Sequence, residues 1–285
     1  MASIRILKNR IKSAKNISQI TKAMEMVAAS KMKKAQNLAL SGKLYAQKIA
    51  DMVIELASRT DVSQHPLLKK PETLHGKRLI VLISSNKGLC GGLNTNLFRM
   101  FLKLYPNPKQ HDFITIGKKG ADLVVRFGGT LIADFSNTVP FVDAVPAIIE
   151  EATNKYLSGV YEGVDILYSE FFSALRQAPM KKTLLPLSIS GVDTDKKSDT
   201  REFLIEPSPS EVLNILLPHY VENQLRDAIL EGEASEHSAR MVAMRNATDN
   251  AVSLISDLTL MYNKVRQEKI TYEISDMVTA RLAVE

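Results

Sequence analysis

The two ends of the chain contain no proline, and this constrains the fold more than any other feature of the sequence. All eleven prolines lie between Pro66 and Pro218, and eleven of the thirteen glycines lie between Gly76 and Gly191. Proline interrupts helices because it lacks a backbone N–H and its ring clashes with the preceding turn. The distribution therefore predicts two long terminal helices that flank a region rich in turns.

The N-terminal helix is predicted to run from about Ser3 to Ser58, because its apolar residues repeat at spacings of three or four. The repeat consists of Ile4, Leu7, Ile11, Ala14, Ile17, Ile20, Met24 and Val27. Such a narrow seam is typical of a coiled coil and is too thin for a helix on a globular core. A helix of about 55 residues would be roughly 80 Å long, and in water it needs a partner helix.

The C-terminal helix is predicted from about Ser210 to Leu282, with Pro209 and Ser210 marking its start. Ser235, which follows Gly232, is interpreted as a position where this helix could be capped a second time. Its apolar repeat consists of Ala247, Ala251, Leu254, Leu258, Met261 and Val265. Because the middle of the chain joins the end of one helix to the start of the other, we expect the two to pair as an antiparallel coiled coil.

Between the helices, strand-like and helix-like segments alternate, which is typical of an α/β domain. Strands are predicted at 78–85, 112–117, 130–135, 165–171 and 181–189, and helices at 93–104, 118–127 and 142–157. The predicted fold class is α/β: a long antiparallel coiled coil of N- and C-terminal helices with a central Rossmann-like α/β head domain. The predicted domains are residues 1–60, 75–205 and 209–285, and the polar segment 193–200 is expected to be a loop.

The charge is unevenly distributed along the chain. The formal net charge is +6, yet residues 1–50 hold eleven Lys or Arg and a single acid, Glu25, which leaves −4 for the rest. This asymmetry favours an acidic partner for the N-terminal helix, namely nucleic acid, a membrane surface or an acidic protein. A solvated helix face is the alternative interpretation.

The sequence SSNKGLCGGLN, residues 84–94, follows the first predicted strand and opens a helix, where α/β proteins often bind phosphate. Its glycines, Gly88, Gly91 and Gly92, fit neither the dinucleotide-binding fingerprint nor the P-loop. Gly117 and Lys118 end the second predicted strand, where a ribose-binding acid would be needed. A tight, closely packed turn is therefore favoured over a nucleotide site.

The other motif searches predict a soluble chain without catalytic, cofactor or metal site. There is no nucleophile elbow, and the five histidines have no metal-ligand spacing. The single cysteine, Cys90, is expected to pack inside the turn. No apolar run is long enough to span a membrane, and the N-terminus lacks the apolar core of a signal peptide, so a mature protein in a cytoplasmic context is expected.

Several segments match one known family in order along the chain. They are ITKAMEMVAASKMKKAQ (20–36), SNKGLCGGLNTNLF (85–98), SEHSARMVAMRNATDNA (235–251) and LMYNKVRQEKITYEI (260–274), followed by Asp276. In these segments the chain resembles the gamma subunit of bacterial-type rotary ATP synthase. Two departures stand out: Ala280-Arg281 replaces a usual Gly-Ala, and the regulatory cysteine insertion of chloroplast members is absent.

The resemblance implies a non-catalytic rotor shaft that couples rotation of a membrane ring of c subunits to ATP synthesis or hydrolysis in a ring of alpha and beta subunits. It further implies contact with the epsilon subunit, a single copy per proton-translocating complex, and a peripheral location on the cytoplasmic face of the bacterial inner membrane. By matching positions, it implies the following partner contacts: Lys22, Ala23, Met24, Glu25, Arg240, Gln267, Thr271, Glu273 and Asp276.

Two other classes of function remain as alternatives. One is a nucleotide-using α/β enzyme, which rests on the Gly88–Gly92 turn alone. The other is a basic coiled-coil protein that binds nucleic acid or a membrane surface. Nucleic acid is disfavoured because the lysines are spread around the helix, with Ala and Met between them, instead of forming a base-reading face.

Overall fold

The computed structural model describes residues 4–59, 65–69, 76–187 and 205–282. In chain order its elements are α1 (Ile4–Arg59), β1 (Arg78–Ile83), α2 (Leu93–Leu104), β2 (Asp112–Ile116), α3 (Lys118–Arg126), β3 (Thr130–Asp134), α4 (Val145–Leu157), β4 (Gly163–Phe171), β5 (Gln177–Leu185) and α5 (Pro209–Leu282). Helix α1 has 56 residues and α5 has 74, so the two long terminal helices are confirmed. The segment predicted as a loop, 193–200, lies outside the described residues.

The five strands form one sheet in the order β3-β2-β1-β4-β5. Strands β1 to β4 pair in parallel and β5 is antiparallel to β4, so β1 to β4 have the same order as the first four strands of a Rossmann fold. The last strand was predicted at 181–189, but it occupies Gln177–Leu185. A tight hairpin after Phe171 brings the chain straight back along β4, and this starts β5 four residues earlier.

Alternating side chains of β1 enter different cores, because successive residues of a strand point to opposite faces. Leu79, Val81 and Ile83 pack in a core shared with the following residues of α1, α4 and α5: Ile49, Val53, Leu56, Ile148, Leu213, Leu217, Val221 and Leu225. Ile80 and Leu82 pack with residues of α2 and α3 on the other face: Leu97, Phe101 and Val124. The sheet is therefore covered on both sides, as parallel strands require.

The chain forms two compact units, one of Met1–Ala29 with Arg240–Glu285 and one of Ser30–Ala239. In the first unit the helices run antiparallel, since Thr21 lies beside Thr248 and Glu25 lies beside Arg245. The second unit contains the sheet with the adjoining parts of α1 and α5. The division into segments 1–60, 75–205 and 209–285 stays a prediction.

Helix α5 continues through Gly232 and Ser235, so the predicted second cap is wrong. The Ser235 hydroxyl is fully buried and donates to the main-chain oxygen of Ser169 on β4, 2.8 Å away. A serine hydroxyl that finds an acceptor on a neighbouring strand does not need to cap a helix.

The seam predicted for α1 is wrong at Ile17, Ile20 and Val27, which are exposed, although Met24 is half-buried. Buried or half-buried residues recur at alternating spacings of three and four at Ile4, Leu7, Ile11, Ala14, Ser18, Thr21, Glu25 and Ala28, and Met24 and Ala29 are half-buried beside this seam. Ile17 and Ile20 are instead 53% and 59% exposed. The prediction followed apolar residues at repeated spacings of three, which rotate away from the partner helix because a full turn takes about 3.6 residues.

Candidate functional site

The block from Lys22 to Glu25 lies on α1 within the helix pair. Lys22 and Ala23 are exposed, whereas Met24 and Glu25 are half-buried. Lys22 Nζ lies 2.9 Å from Glu25 Oε2, and Arg245 Nε of α5 lies 3.8 Å from Glu25 Oε1. Glu25 is therefore held between two cations, and the predicted contact Met24 sits beside this ionic group at the edge of the seam.

The seam next to this block is polar. The hydroxyls of Thr21 and Thr248 lie 2.7 Å apart, so one donates to the other. The hydroxyl that accepts this bond keeps its own proton for a carbonyl oxygen of its own helix, Ser18 O for Thr21 or Met244 O for Thr248. Thr21, Thr248 and Arg245 were not predicted from the sequence as seam residues. A strict heptad counted from Ile4 would have placed Thr21 in the seam, but the neighbouring isoleucines drew the prediction elsewhere.

Apolar side chains remain exposed on both helices of this unit. On α1 they include Ile6, Ile17, Ile20 and Val27, and on α5 they include Leu254 and Met261. An open groove runs between the two helices, lined by Ile6, Asn9, Arg10, Ser13, Ala14, Ile17, Ala251, Leu254 and Leu258. Contiguous exposed apolar surface of this kind marks an interaction site.

The predicted contacts on α5 do not form one cluster. Arg240 is half-buried, whereas Gln267, Thr271, Glu273 and Asp276 are all exposed. At about 100° per residue, Gln267 and Asp276 point to opposite sides of the helix. Every residue from 266 to 282 is exposed, so this part of α5 presents its whole circumference.

The turn after β1 uses its polar groups within the chain. At the start of α3, the N–H of Lys118 donates to Asn86 Oδ1 (2.9 Å), that of Lys119 to Ser85 O (3.1 Å) and that of Gly120 to Ser84 Oγ (2.7 Å). A phosphate would need such N–H groups to be free. The interpretation as a tight turn is supported by positive φ angles at Leu89 (63°) and Gly91 (58°). Close packing is not the reason for the other two glycines, because a Cβ on Gly88 would meet nothing within 4 Å and one on Gly92 would lie 3.7 Å from Asn96 Nδ2.

Cys90 is buried in this turn, as expected, and its sulfur accepts a hydrogen bond from Asn94 Nδ2 at 3.4 Å. Within the described residues there is no group of three or more His, Cys, Asp or Glu that could hold a metal ion. None of the helices, over the ranges that the structure describes, is long and apolar enough to cross a membrane.

The crevice beyond the ends of β1 and β4 is filled by α5. Ligands of doubly wound sheets bind in such crevices, where the strand order reverses. Here Gly232 approaches so closely that a Cβ on it would lie 3.0 Å from Ile83, and Glu233 and Glu236 line the small cavity that remains. A nucleotide is disfavoured here, because helix backbone occupies the crevice and the two carboxylates would repel its phosphates.

A second acidic group lies where α5 crosses β4. Burial and the nearby Glu170 raise the pKa of Glu231, while a hydrogen bond from Tyr168 and the charge of Lys182 lower it less. Glu170 Oε2 is buried and, among the described residues, has no hydrogen-bond partner. Protonation of Glu231 would therefore relieve repulsion between the carboxylates of two half-buried residues.

Comparison with known proteins gives full-length matches. A family model described as ATP synthase matches residues 3–284. The ATP synthase gamma chain of Opitutus terrae is 41% identical over 297 residues, covering 99% of this chain and 99% of that protein. The ATP synthase gamma chain of Chloroflexus aurantiacus is 40% identical over 292 residues, covering 100% of this chain and 99% of that protein.

Solved structures have a similar fold. A chain from the Tetrahymena thermophila mitochondrial ATP synthase central stalk and c-ring matches with a TM-score of 0.58 and 26% identity, covering 80% of this chain and 99% of that one. A chain from the Euglena gracilis mitochondrial ATP synthase OSCP/F1/c-ring structure matches with a TM-score of 0.67 and 20% identity, covering 99% and 94%. The second match concerns the fold alone.

Proposed function

The chain belongs to the ATP synthase gamma chain family, and from that membership we propose that it is the central rotor of a proton-translocating ATP synthase. In this role it couples rotation of the c-ring to ATP synthesis or hydrolysis in a ring of alpha and beta subunits. The ATP chemistry resides on those partners, and the chain itself is not catalytic. It also contacts the epsilon subunit and is present once per complex.

The observation that carries this proposal is the apolar surface that the helix pair leaves uncovered. Ile17, Ile20 and Val27 are each more than half exposed, and α5 has no buried side chain from 266 to 282. Such long helices are stable in water only when packing covers an apolar face. A surrounding ring of subunits would provide this cover on all sides of the shaft at once.

The chemistry of the surface suits rotation. Methionine and small side chains adapt to different neighbours, and lysines such as Lys22 attract acidic segments of surrounding subunits. Exposed ion pairs contribute only about 0–1 kcal/mol each, so no single angle is strongly preferred. We place the contacts with the ring at Lys22, Ala23, Met24, Glu25, Arg240, Gln267, Thr271, Glu273 and Asp276.

Asymmetry supplies the mechanism of coupling. A single shaft inside a threefold ring presents a different face to each beta subunit, and each contact biases that subunit between open and closed states. Rotation moves this bias around the ring. The chain would lie at the cytoplasmic face of the bacterial inner membrane, attached peripherally through the c-ring.

The proposal is tested by co-expressing the chain with its candidate alpha and beta subunits and purifying through a tag on beta. We expect a complex of three alpha, three beta and one copy of this chain by native mass spectrometry. Its ATP hydrolysis should require the chain, and the same expression without the chain is the control. Absence of the chain from the ring, or its presence in several copies, would contradict the rotor role.

A further inference from the structure

The hairpin between β4 and β5 is braced internally. The N–H of Arg176 donates to both the main-chain oxygen of Ser173 (3.2 Å) and the Ser173 hydroxyl (3.1 Å), and the N–H groups of Phe172 and Ser173 donate to Arg176 O. The Arg176 guanidinium also lies 5.0 Å from the centre of the Phe172 ring. The hairpin tip is therefore a fixed point that continues the sheet.

Two serines of α5 bind this hairpin through main-chain oxygens. Ser235 Oγ donates to Ser169 O at 2.8 Å, and Ser238 Oγ donates to Ala174 O at 2.7 Å. Gln177 Nε2 donates to the same Ala174 oxygen at 3.1 Å and to Ser238 Oγ at 3.3 Å. We call Ser235, Ser238 and Gln177 the hydroxyl clamp.

The clamp differs in kind from the packing around it. The apolar face of α5, including Leu217, Val221 and Leu225, packs in the core and already limits rotation of the helix, but apolar contacts are non-directional and tolerate small changes of angle. Hydrogen bonds need an aligned donor and acceptor, and they weaken steeply when the angle changes. Both serine side chains are fully buried, so water is not at hand to replace a broken bond and a twist of α5 would be costly.

The position of the clamp along α5 gives it a function. The unit that contains the sheet ends at Ala239, one residue after Ser238, while the helix continues without interruption to Leu282. Within this unit, a torque applied to the sheet reaches α5 through direct contacts such as those of Ser235 and Ser238. We propose that Ser235 and Ser238, supported by Gln177, are positioning residues that fix the rotation angle of α5 on the head and so transmit torque into the helix.

This proposal rests on the rotor function proposed above, and its first test uses the assembled, membrane-reconstituted complex. In the double variant Ser235→Ala and Ser238→Ala, ATP hydrolysis should persist, while the number of protons pumped per ATP should fall by about half or more. The reason is that each lost hydrogen bond makes the clamped angle of α5 about fivefold less favoured relative to other angles. A second double variant, with Ser235→Ala and Ser238→Thr, retains one hydroxyl. It should recover part of the wild-type number of protons pumped per ATP.

A matched control is Ser253→Ala, which removes an exposed serine from the same helix and should leave the ratio unchanged. A merely structural role of the clamp would lower the yield of complex or its thermal stability, but the ratio per assembled complex would stay at the wild-type value. That result in the double variant would overturn the proposal while leaving the rotor function intact.

A second measurement separates the clamp from the rotor function. Amide hydrogen exchange on the full chain should become faster in residues 171–177 and 230–240 of the double variant, and should stay unchanged in the Ser253→Ala control. Unchanged exchange in both segments would overturn the clamp. If the wild-type chain does not join the ring, the rotor proposal fails, and the exchange result still decides whether the clamp holds α5.

Discussion

Asp165 illustrates how a buried charge is stabilised in the head. It is fully buried on β4 and accepts hydrogen bonds from Arg78 Nε (2.6 Å), Tyr105 OH (2.7 Å) and Thr183 Oγ1 (2.9 Å). Burial alone would raise the pKa of Asp165, but the hydrogen bonds from Arg78 and Tyr105 and the charges of Arg78 and Lys181 hold it below its usual value. The carboxylate is thus ionised in the folded chain.

Asp165→Asn should lower the free energy of unfolding of the full chain by about 3 kcal/mol at neutral pH, because it leaves the half-buried cation of Arg78 without its ionised partner. Urea unfolding measures this loss. A carboxyl group whose pKa is lower in the folded state stabilises the fold above its unfolded pKa of about 3.9, and this stability is lost as the pH falls through the folded pKa. The variant should lack that acid-dependent loss.

The exposed Asp122→Asn on α3 is the control for Asp165, and it should change stability by less than about 0.5 kcal/mol. Equal effects of the two substitutions would show that the bonds around Asp165 contribute little.

Glu231 should have the opposite pH dependence. Its pKa is raised, first by burial and then by Glu170, so the folded chain holds the proton more tightly than the unfolded chain. The associated stability is fully present below the unfolded pKa and is lost as the pH rises through the folded pKa. Glu231→Gln should therefore stabilise the chain at neutral pH. It should also remove the decrease in stability that the wild type shows as the pH rises above 4.5.

Thermal unfolding across this pH range tests the prediction for Glu231. Glu268→Gln, on the exposed end of α5, is the control and should leave the profile unchanged. A less stable Glu231→Gln variant at neutral pH would mean that the ionised carboxylate is needed by its hydrogen-bond donor, Tyr168.

Met24 tests the proposed contact block on α1. Met24→Lys should weaken coupling in the assembled complex while ATP hydrolysis persists, because an added charge beside Lys22 could hold the shaft to an acidic neighbour at one angle. Met24→Leu keeps the volume and adds no charge, so it should behave like the wild type. Wild-type proton pumping per ATP in Met24→Lys would exclude Met24 as an important contact.

At the scale of elements, the sequence predicts helices and strands better than it predicts which side chains face each other. The bounds of α2 were predicted at 93–104, as observed, because a glycine-containing turn and a loss of periodicity delimit the helix. In α1, polar seam positions such as Ser18 and Thr21 carry no apolar signal. Strand β5 was predicted at 181–189 and lies at Gln177–Leu185, and its antiparallel direction was not predicted, since a hydrophobic pattern does not reveal the direction of a strand.

The polar seam should make the helix pair less stable than an apolar one. Replacing both Thr21 and Thr248 by Val removes two hydroxyls that bond each other, and such paired replacements are nearly neutral or stabilising. Each single replacement loses the bond and should cost about 0.5–1.5 kcal/mol. We therefore expect amide exchange in residues 14–28 and 241–255 to speed up in each single variant and to return to the wild-type rate or slower in the double variant.

Thr259→Val is the control for the seam, since Thr259 is exposed on the same helix and its hydroxyl bonds only within that helix, to Ile255 O at 2.7 Å. If the effects of the two single substitutions on amide exchange simply added in the double variant, the Thr21 and Thr248 hydroxyls would not interact in solution.

At the scale of the whole molecule, the distribution of proline and the heptad spacing predicted the paired terminal helices, and the alternation of strands predicted the head. The filling of the crevice by α5 could not be predicted, because it depends on contacts between segments far apart in the chain, such as Gly232 and Ile83. The partner contacts were less predictable still. Surface residues that bury nothing within the chain leave no folding signal for sequence reasoning to find.

Removing the exposed end of α5 tests whether the complex requires residues that the chain does not need for folding. A chain that stops after Val265 loses only side chains that are exposed in the described structure, so its free energy of unfolding should change by less than about 0.5 kcal/mol. If this end lies inside the ring, ATP-driven proton pumping by the assembled complex should nevertheless fall. Unfolding of the full chain and pumping by reconstituted vesicles measure the two effects independently.

Substitutions then distinguish the proposed contacts from the mere length of the helix. One variant carries alanine at the proposed contacts Gln267, Thr271, Glu273 and Asp276, and the matched variant carries alanine at the exposed neighbours Glu268, Lys269, Ser275 and Thr279. Alanine favours helix in both, so the helix is preserved and only surface chemistry differs. The first variant should pump less than the second, and equal pumping by the two would assign the function of this end to its length alone.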